Sequence, residues 1–207
     1  MLLKIVNLIS VMWYNTIGEM KADVDFIQIK TPITRLVYRE HENVKIQPNE
    51  TQMFNILRKE VKLEKYDHFF ILIKLGEQNN YISDLDWAGY GGTEYEEHSY
   101  SVIRLPDNDY YESWLYSNDK IKYPGYVYIH EFLHTMETNS LQYNLYMPQI
   151  HDYEDFGYTF YSYDWTEDEH RWLKDVIQIN VDYNGKKVGV NPALWKLRPT
   201  KFSYLRN

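Results

Sequence analysis

The sequence predicts an α+β protein, with a mixed, twisted sheet, helices packed against it and an irregular carboxyl-terminal subdomain. Short apolar runs of strand length alternate with stretches in which apolar residues recur every three or four positions, as on one face of a helix. Turn signals rich in Gly, Pro and Asn separate these elements. For 207 residues we expect a single domain, with an upper part over about 1–137 and a lower part over about 138–207.

The composition excludes several functional classes. The chain has 22 Lys+Arg against 30 Asp+Glu, and this acidic balance argues against a nucleic-acid partner, which would need a basic surface. No apolar run reaches the roughly 18 residues of a membrane span. Because there is no Cys, disulfides, thiolate metal sites and thiol nucleophiles are excluded. Any bound metal must therefore be held by His, Asp, Glu or Tyr.

The amino-terminal half contains two predicted helices and the first predicted strand. The first helix follows from helical spacing of Ile5, Leu8, Ile9, Met12 and Trp13, and Gly18 is its expected end. The apolar run at residues 22–30 then predicts a strand. A second helix is expected after Asn49, which has the spacing of a capping box with Gln52.

Two further strands and a loop are predicted before the middle of the chain. The apolar run Tyr66–Leu75 is typical of a buried central strand, parallel to the first. The segment WAGYGG, with Gly89, Gly91 and Gly92, is interpreted as a glycine-rich turn. It leads into His98–Leu105, which we expect to be an edge strand.

A helix-like run, YVYIHEFLHTMET, carries the residues to which chemistry can be assigned. His130, Glu131 and His134 form the pattern H-E-x-x-H, a known metalloprotease signature. Residues four apart share a helix face, so both imidazoles point the same way and can bind one zinc ion. Glu131 then lies where it can take a proton from the zinc-bound water and deliver it to the leaving amine. We predict His130 and His134 as zinc ligands and Glu131 as the catalytic base.

A third zinc ligand is expected in the loop-like segment MPQIHDYEDFGY. His151 is favoured, because neutral imidazole binds zinc well and a loop can fold back over the metal. Glu154 is the rival, since some zinc proteases use a glutamate at this separation, although they place it on a second helix. Asp152, Asp155 or a Tyr are further alternatives, and Asp152 could also orient one of the histidines.

Other polar residues near the motif receive weaker assignments. Tyr158 is predicted as a catalytic residue whose phenol stabilises the oxyanion of a tetrahedral intermediate. Tyr161 is the alternative, and plain packing is the competing interpretation of both. Glu137, three residues past His134, is either a group behind the ligands or an ordinary carboxylate near the helix end, and the second interpretation is favoured.

The carboxyl-terminal part is expected to support the site without supplying chemistry. Thr166 and Glu169 have the spacing of a capping box at the start of a helix. His170 stands among charged residues and is expected to face solvent. Asn184 and Gly185 predict a β-hairpin.

Together these features resemble the zincin metallopeptidases, in a divergent, metzincin-like branch. Beside HEFLH, the similarity covers residues 1 to about 137, from an aromatic, Gly-containing helix end at Trp13–Ile27 to the edge strand that in the family pairs with extended substrate. The resemblance implies a zincin fold, a bound Zn²⁺ and a protein or peptide substrate along His98–Leu105. It also implies a secreted or cell-surface location and, because zincins usually start with a strand, a strand upstream of Met1.

The chain departs from the metzincin pattern after the second histidine of the motif. That pattern has Gly three residues and His six residues later, where this chain has Glu137 and Ser140. No Met follows Met147, so the methionine turn of the family is missing. The third ligand therefore cannot be copied from the family.

The leading functional hypothesis is a zinc-dependent endopeptidase that hydrolyses peptide bonds with a zinc-bound water activated by Glu131. The alternative is a catalytically silent zincin-like module that binds a peptide or glycan through an aromatic cleft, although the intact Glu131 argues against it. A third hypothesis is a zinc hydrolase that acts on another kind of amide.

Overall fold

The computed structural model describes residues 24–38, 46–74, 89–95, 98–105, 126–161 and 165–196. These ranges contain three α-helices, α1 (Glu50–Glu60), α2 (Tyr126–Gln142) and α3 (Trp165–Ile177). They also contain seven strands: β1 (Leu36–Tyr38), β2 (Ile46–Pro48), β3 (His68–Lys74), β4 (Gly89–Tyr95), β5 (His98–Leu105), β6 (Val181–Tyr183) and β7 (Lys186–Val188). The predicted mixture of helices and strands is confirmed. Within the same ranges, no helix has the length and hydrophobicity that a membrane-spanning helix requires.

The main sheet has its described strands in the order β3-β5-β4. Strand β5 pairs in parallel with β3 and antiparallel with β4. The prediction of an edge strand at His98–Leu105 is therefore wrong, since this strand is central. The Tyr66–Leu75 run, expected at the centre, forms an outer strand of the described sheet. The central strand contains two serines, Ser99 and Ser101, which are buried and make hydrogen bonds to Asp67 O and Glu131 O.

The described part of the glycine-rich segment, residues 89–92, lies in a strand and not in the predicted turn. Gly89 and Gly91 lie in β4, which packs against α2. A Cβ atom at Gly91 would lie 1.9 Å from the carbonyl oxygen of Glu131, far inside van der Waals contact. The glycines therefore permit a close approach of strand and helix, a use of glycine that sequence alone does not distinguish from a turn.

The strand predicted at residues 22–30 is not formed where the structure describes this segment. Residues 24–30 have no regular secondary structure, and Val24, Phe26 and Ile27 are 40–42% exposed. The Tyr66 hydroxyl, from the segment just before β3, donates a hydrogen bond of 2.8 Å to Asp25. An apolar run needs a paired neighbour to become a strand, and here the run lacks strand pairing. The helix predicted over residues 5–13, with its end at Gly18, lies outside the described ranges.

The upper core lies between α1 and the main sheet. The predicted N-cap is confirmed, because the Asn49 side chain accepts a hydrogen bond from Gln52 N at 2.9 Å. The Gln52 side chain does not complete a capping box, since it contacts Thr34 and the amide of Arg35. The buried apolar side chains of this core belong to α1, the turn after it and the sheet: Met53, Phe54, Leu63, Tyr90, Tyr100 and Val102.

The lower core joins α2 to α3 and to the segment between them. Its buried side chains include Leu133 and Met136 of α2, Ile150 of the connecting segment, and Trp172 of α3. The hairpin predicted at Asn184–Gly185 is confirmed: β6 pairs with β7, and both turn residues have positive φ, 51° and 76°. Helix α2 is thus enclosed by the sheet on one side and by the lower core on the other, with nearly all of its first ten residues buried.

Candidate metal centre

Helix α2 presents His130 and His134 one turn apart on one face. Their ring centroids lie 4.9 Å apart, and both side chains are about one fifth exposed. The Nδ1 atom of His130 lies 2.7 Å from Oε1 of Glu169, and the Nδ1 atom of His134 lies 2.7 Å from Oε2 of Glu137. A carboxylate only accepts hydrogen bonds, so each Nδ1 carries a proton, and in the neutral form of each ring Nε2 keeps its lone pair for a metal ion.

His151 brings a third imidazole to the same place. Its Nε2 atom lies 3.2 Å from Nε2 of His134, and its ring centroid lies 5.2 Å from that of His130. The ligand atoms of the three histidines all lie within 4.8 Å of one another. Two nitrogen ligands of a tetrahedral zinc ion are about 3.3 Å apart, given zinc–nitrogen distances of about 2.0–2.1 Å. The donor set and its spacing thus fit a three-histidine metal site.

The predicted rivals of His151 do not join this cluster. Among the described residues, the only group of metal-binding side chains spaced for one ion is the histidine triad. A short 3-10 turn, Tyr153–Phe156, follows His151 and contains Glu154 and Asp155. Asp152 is the residue directly before this turn. Asp152 is also not the carboxylate that orients His130 or His134, because Glu169 and Glu137 have those positions.

The electrostatics of the cluster differ between its members. Burial alone would lower the pKa of His130, but the hydrogen bond to Glu169 and the charges of Glu131, Glu169 and Glu137 outweigh it and raise the pKa. Burial and the nearby charges of His130 and His134 lower the pKa of His151. A lowered pKa keeps this imidazole neutral at neutral pH, the form that binds a metal. His151 is also the exposed member of the three, so the site is open to solvent on its side.

Glu131 is buried between the histidines and strand β4. It is 5% exposed, and burial raises the pKa of its carboxyl group, against the lowering effect of the charges of His130 and His134. A Cβ atom at Gly89 would lie 2.9 Å from both Cγ and Oε1 of Glu131. The carboxylate therefore occupies the space that the missing side chain of Gly89 leaves in the strand.

A polar cluster in the sheet supports the backbone of Glu131. The ring nitrogens Nδ1 and Nε2 of His68 lie 3.0 Å from the hydroxyls of Ser99 and Ser101, and Ser101 donates to Glu131 O at 3.1 Å. The His68 ring also packs edge-on against Phe132 of α2. Burial lowers the pKa of His68 to about 3. The ring is therefore neutral at ordinary pH, with one donor and one acceptor nitrogen. One serine accepts a hydrogen bond from the ring, and the other must turn its single hydroxyl proton from its backbone carbonyl to the acceptor nitrogen.

The predicted oxyanion-stabilising tyrosine is not placed with the histidines. The Tyr158 hydroxyl donates to Asp175 Oδ2 at 2.7 Å, and its ring packs on Trp172 and under Arg171. Burial, reinforced by the bond to Asp175, raises the pKa of this phenol. These contacts tie Tyr158 to α3, as the packing interpretation expects. The side chain of Tyr161 is half exposed.

The sequence interpretation missed the carboxylate behind His130 and did not favour the one behind His134. Glu169 is not part of a capping box, because α3 begins at Trp165 and the carboxylate binds His130. The prediction for His170 is wrong as well, since this residue is 8% exposed and burial lowers its pKa. Glu137, interpreted as an ordinary helix-end carboxylate, contacts His134. For Glu137 a signal existed, because residues three apart on a helix lie on the same face.

No protein-family model, no curated protein and no solved structure matches the chain.

Proposed function

We propose that the chain is a zinc-dependent endopeptidase of zincin-like fold, in which His130, His134 and His151 hold the metal. The observation that carries the proposal is the convergence of three ring nitrogens within 4.8 Å beside the buried glutamate of an H-E-x-x-H pattern. Two of these imidazoles have Nδ1 bound to a carboxylate, the arrangement typical of metal-ligating histidines. When bound, zinc lowers the pKa of a coordinated water and polarises the carbonyl of the substrate.

Glu131 has the role of general base in this proposal. It takes a proton from the attacking water and later delivers it to the amine that leaves. Its pKa is raised by burial, and a carboxyl group with a raised pKa both accepts and releases a proton more readily near neutral pH. Its position beside both motif histidines, whose charges act on it, is the position that this role requires.

The substrate is an extended peptide that pairs with β4. Strand β5, which we expected to bind it, has both edges occupied by β3 and β4. In the described sheet β4 has one edge without a strand, and a peptide can add to such an edge through main-chain hydrogen bonds. Because Gly89 lies against the Glu131 carboxylate, a peptide on β4 would run past the proposed base.

The metal part of the proposal is tested by zinc content. Protein purified without a His tag is analysed by mass spectrometry, for the wild type, His151→Ala and Glu154→Ala. We expect about one zinc per chain in the wild type and in Glu154→Ala, and its loss in His151→Ala, since a catalytic zinc site has three protein ligands. Zinc lost only in Glu154→Ala would make the glutamate the third ligand. No metal in the wild type, even after incubation with zinc, would contradict the proposal.

The catalytic part is tested by turnover of a casein-type substrate with Glu131→Gln. We expect kcat to fall by about 10²–10⁴-fold, the usual contribution of a general base, while zinc content is unchanged. Full activity of Glu131→Gln would exclude the mechanism. Zinc binding without any turnover by the wild type would favour the silent peptide- or glycan-binding module, and turnover of small amides alone would favour a different amide hydrolase.

A further inference from the structure

Glu137 makes two contacts that no ordinary helix-end carboxylate needs. Its Oε2 atom accepts a hydrogen bond from Nδ1 of His134, and its Oε1 atom accepts one from the backbone N–H of Ile150. The carboxylate is thus bound at one oxygen to a ligand on the helix and at the other to the residue directly before His151. It connects two of the three members of the histidine cluster.

Ile150 is fixed from three directions. Its side chain is 2% exposed in the lower core, its carbonyl accepts a hydrogen bond of 2.8 Å from the indole of Trp172, and its N–H is bound by Glu137. The core packs the Ile150 side chain against residues of both α2 and α3, and Trp172 holds its carbonyl from α3. Glu137 adds a directional hydrogen bond from α2 to the backbone next to His151. The exact position of the His151 backbone relative to His134 therefore depends on this carboxylate as well as on the core.

We propose that Glu137 is a positioning residue that sets the place of the third metal ligand relative to the second. The inference rests on the metal site of the proposed function. Helix α2 continues past the motif to Gln142, and the chain then folds back toward the helix through a segment that ends at His151. Glu137 connects the helix to the end of this segment by binding both His134 and Ile150. The Nε2 atoms of His134 and His151 are thereby held 3.2 Å apart.

The bridge requires a carboxylate and not merely a polar side chain. Both partners of Glu137 are donors, the imidazole N–H of His134 and the amide N–H of Ile150, so both terminal atoms must be acceptors. A glutamine has one acceptor oxygen and one NH₂ group, and the NH₂ group would face an N–H. Glu137→Gln therefore leaves one donor unpaired, or turns His134 to the tautomer that has its proton on Nε2.

Glu169 provides the matched control on the other motif histidine. Among the described residues, its carboxylate accepts a hydrogen bond from one donor, Nδ1 of His130. In Glu169→Gln the single amide oxygen can still accept that bond, while its NH₂ group faces elsewhere. The same isosteric substitution should therefore be tolerated at Glu169 and not at Glu137, although both carboxylates lie 2.7 Å from a histidine.

The first test is the zinc dissociation constant, measured by competition with a chelator for Glu137→Gln, Glu169→Gln and Glu154→Gln. We expect about 10–100-fold weaker binding for Glu137→Gln, the usual loss for a disrupted partner of a metal-ligating histidine. Glu169→Gln should lose clearly less, and the exposed Glu154→Gln should bind as the wild type. Glu137→Asp, which keeps two acceptor oxygens, should retain more affinity than Glu137→Gln. Equal losses at Glu137 and Glu169 would overturn the proposal.

The second test needs no metal and separates this inference from the proposed function. In zinc-free wild type we expect slow hydrogen exchange of the Ile150 amide and a proton on Nδ1 of His134, read from its ¹⁵N shifts. Glu137→Gln should speed that exchange by at least about tenfold relative to amides of α3, and Glu169→Gln should not. Unchanged exchange in Glu137→Gln would overturn the bridge. A confirmed bridge in a protein that binds no zinc would instead refute the proposed function.

Discussion

The two sides of α2 hold their part of the candidate site by different physical means. On the side of the sheet, small residues allow a close approach, and Glu131 lies in the space beside Gly89 and Gly91. On the side of the lower core, carboxylates hold the histidines by hydrogen bonds of 2.7 Å. The first side therefore determines by shape where the proposed base lies. The second determines by charge and hydrogen bonding how the proposed ligands are oriented.

This difference predicts different consequences of mutation on each side. A side chain added to β4 meets packed atoms, and the cost should appear in the free energy of unfolding. A carboxylate replaced behind a histidine leaves the side-chain packing intact, and the main cost should appear in metal affinity. At Glu137 a local cost at the Ile150 amide is added. Variants on the sheet side that keep zinc affinity would sharpen the comparison, as would a Glu169→Gln variant that keeps its stability.

Gly91→Ala has the largest expected effect on the sheet side. The new Cβ atom would lie 1.9 Å from the Glu131 carbonyl oxygen and 2.7 Å from its carbonyl carbon, and neither atom can move without the helix. We expect a loss of about 3 kcal/mol in the free energy of unfolding, measured by urea denaturation. The loss should persist in a Glu131→Ala background, because the clash is with the backbone. A loss below about 0.5 kcal/mol would show that strand and helix separate freely.

The parts of the site that the sequence predicted are those with local spacing. His130, Glu131 and His134 lie within two turns of one helix, and helical periodicity alone brings them to one face. For His151 the sequence offers only the chemistry of an imidazole in a loop and the need of the motif for a third ligand, without any spacing that brings it to the helix. Glu169 lies 39 residues from His130, and its spacing from Thr166 suggested a cap. A carboxylate such as that of Glu169 can bind a nearby backbone amide or a side chain that is distant in sequence. Tertiary packing decides between them, and a single sequence does not reveal that packing.

The order of the strands in the sheet was predicted wrongly for a related reason. Strand β5 alternates buried serines with Tyr100 and Val102, a pattern that a half-exposed edge strand would share. The serines are buried because His68 and backbone carbonyls satisfy their hydroxyls. Hydrogen bonds between strands thus allowed polar residues at the centre of the sheet, and periodicity could not detect them.

Acid should destabilise the sheet side through the buried ring of His68. The pKa of His68 is about 3 in the folded protein and about 6.5 when unfolded. Below pH 6.5 the unfolded chain therefore binds a proton that the folded protein does not. The contribution of His68 to the free energy of unfolding is therefore fully present above pH 6.5 and is lost as the pH falls toward 3. The loss reaches about 2 kcal/mol at pH 5.

Urea denaturation at pH 7 and pH 5 measures this dependence for the wild type and His68→Gln. The variant should be less stable at pH 7 but should lose less between the two values, because the glutamine does not titrate. His170, whose pKa is also lowered, contributes equally to both proteins and cancels in the difference. An identical loss in wild type and variant would remove His68 from the acid sensitivity of the sheet side.

Gly89→Ala, for which we expect the smallest effect, distinguishes a clash with the Glu131 side chain from the clash with its backbone at Gly91. Its Cβ atom would lie 2.9 Å from Cγ and Oε1 of Glu131, atoms of a side chain that can rotate away. We expect a cost of about 1 kcal/mol, the cost of an unfavourable side-chain rotamer. In a Glu131→Ala background these atoms are absent, so the cost should vanish, whereas that of Gly91→Ala should remain. The double-mutant cycle, measured by urea denaturation, gives the interaction energy directly. An additive result for Gly89→Ala and Glu131→Ala would mean that the space beside the strand does not hold the carboxylate, and that Glu131 is placed by the helix alone.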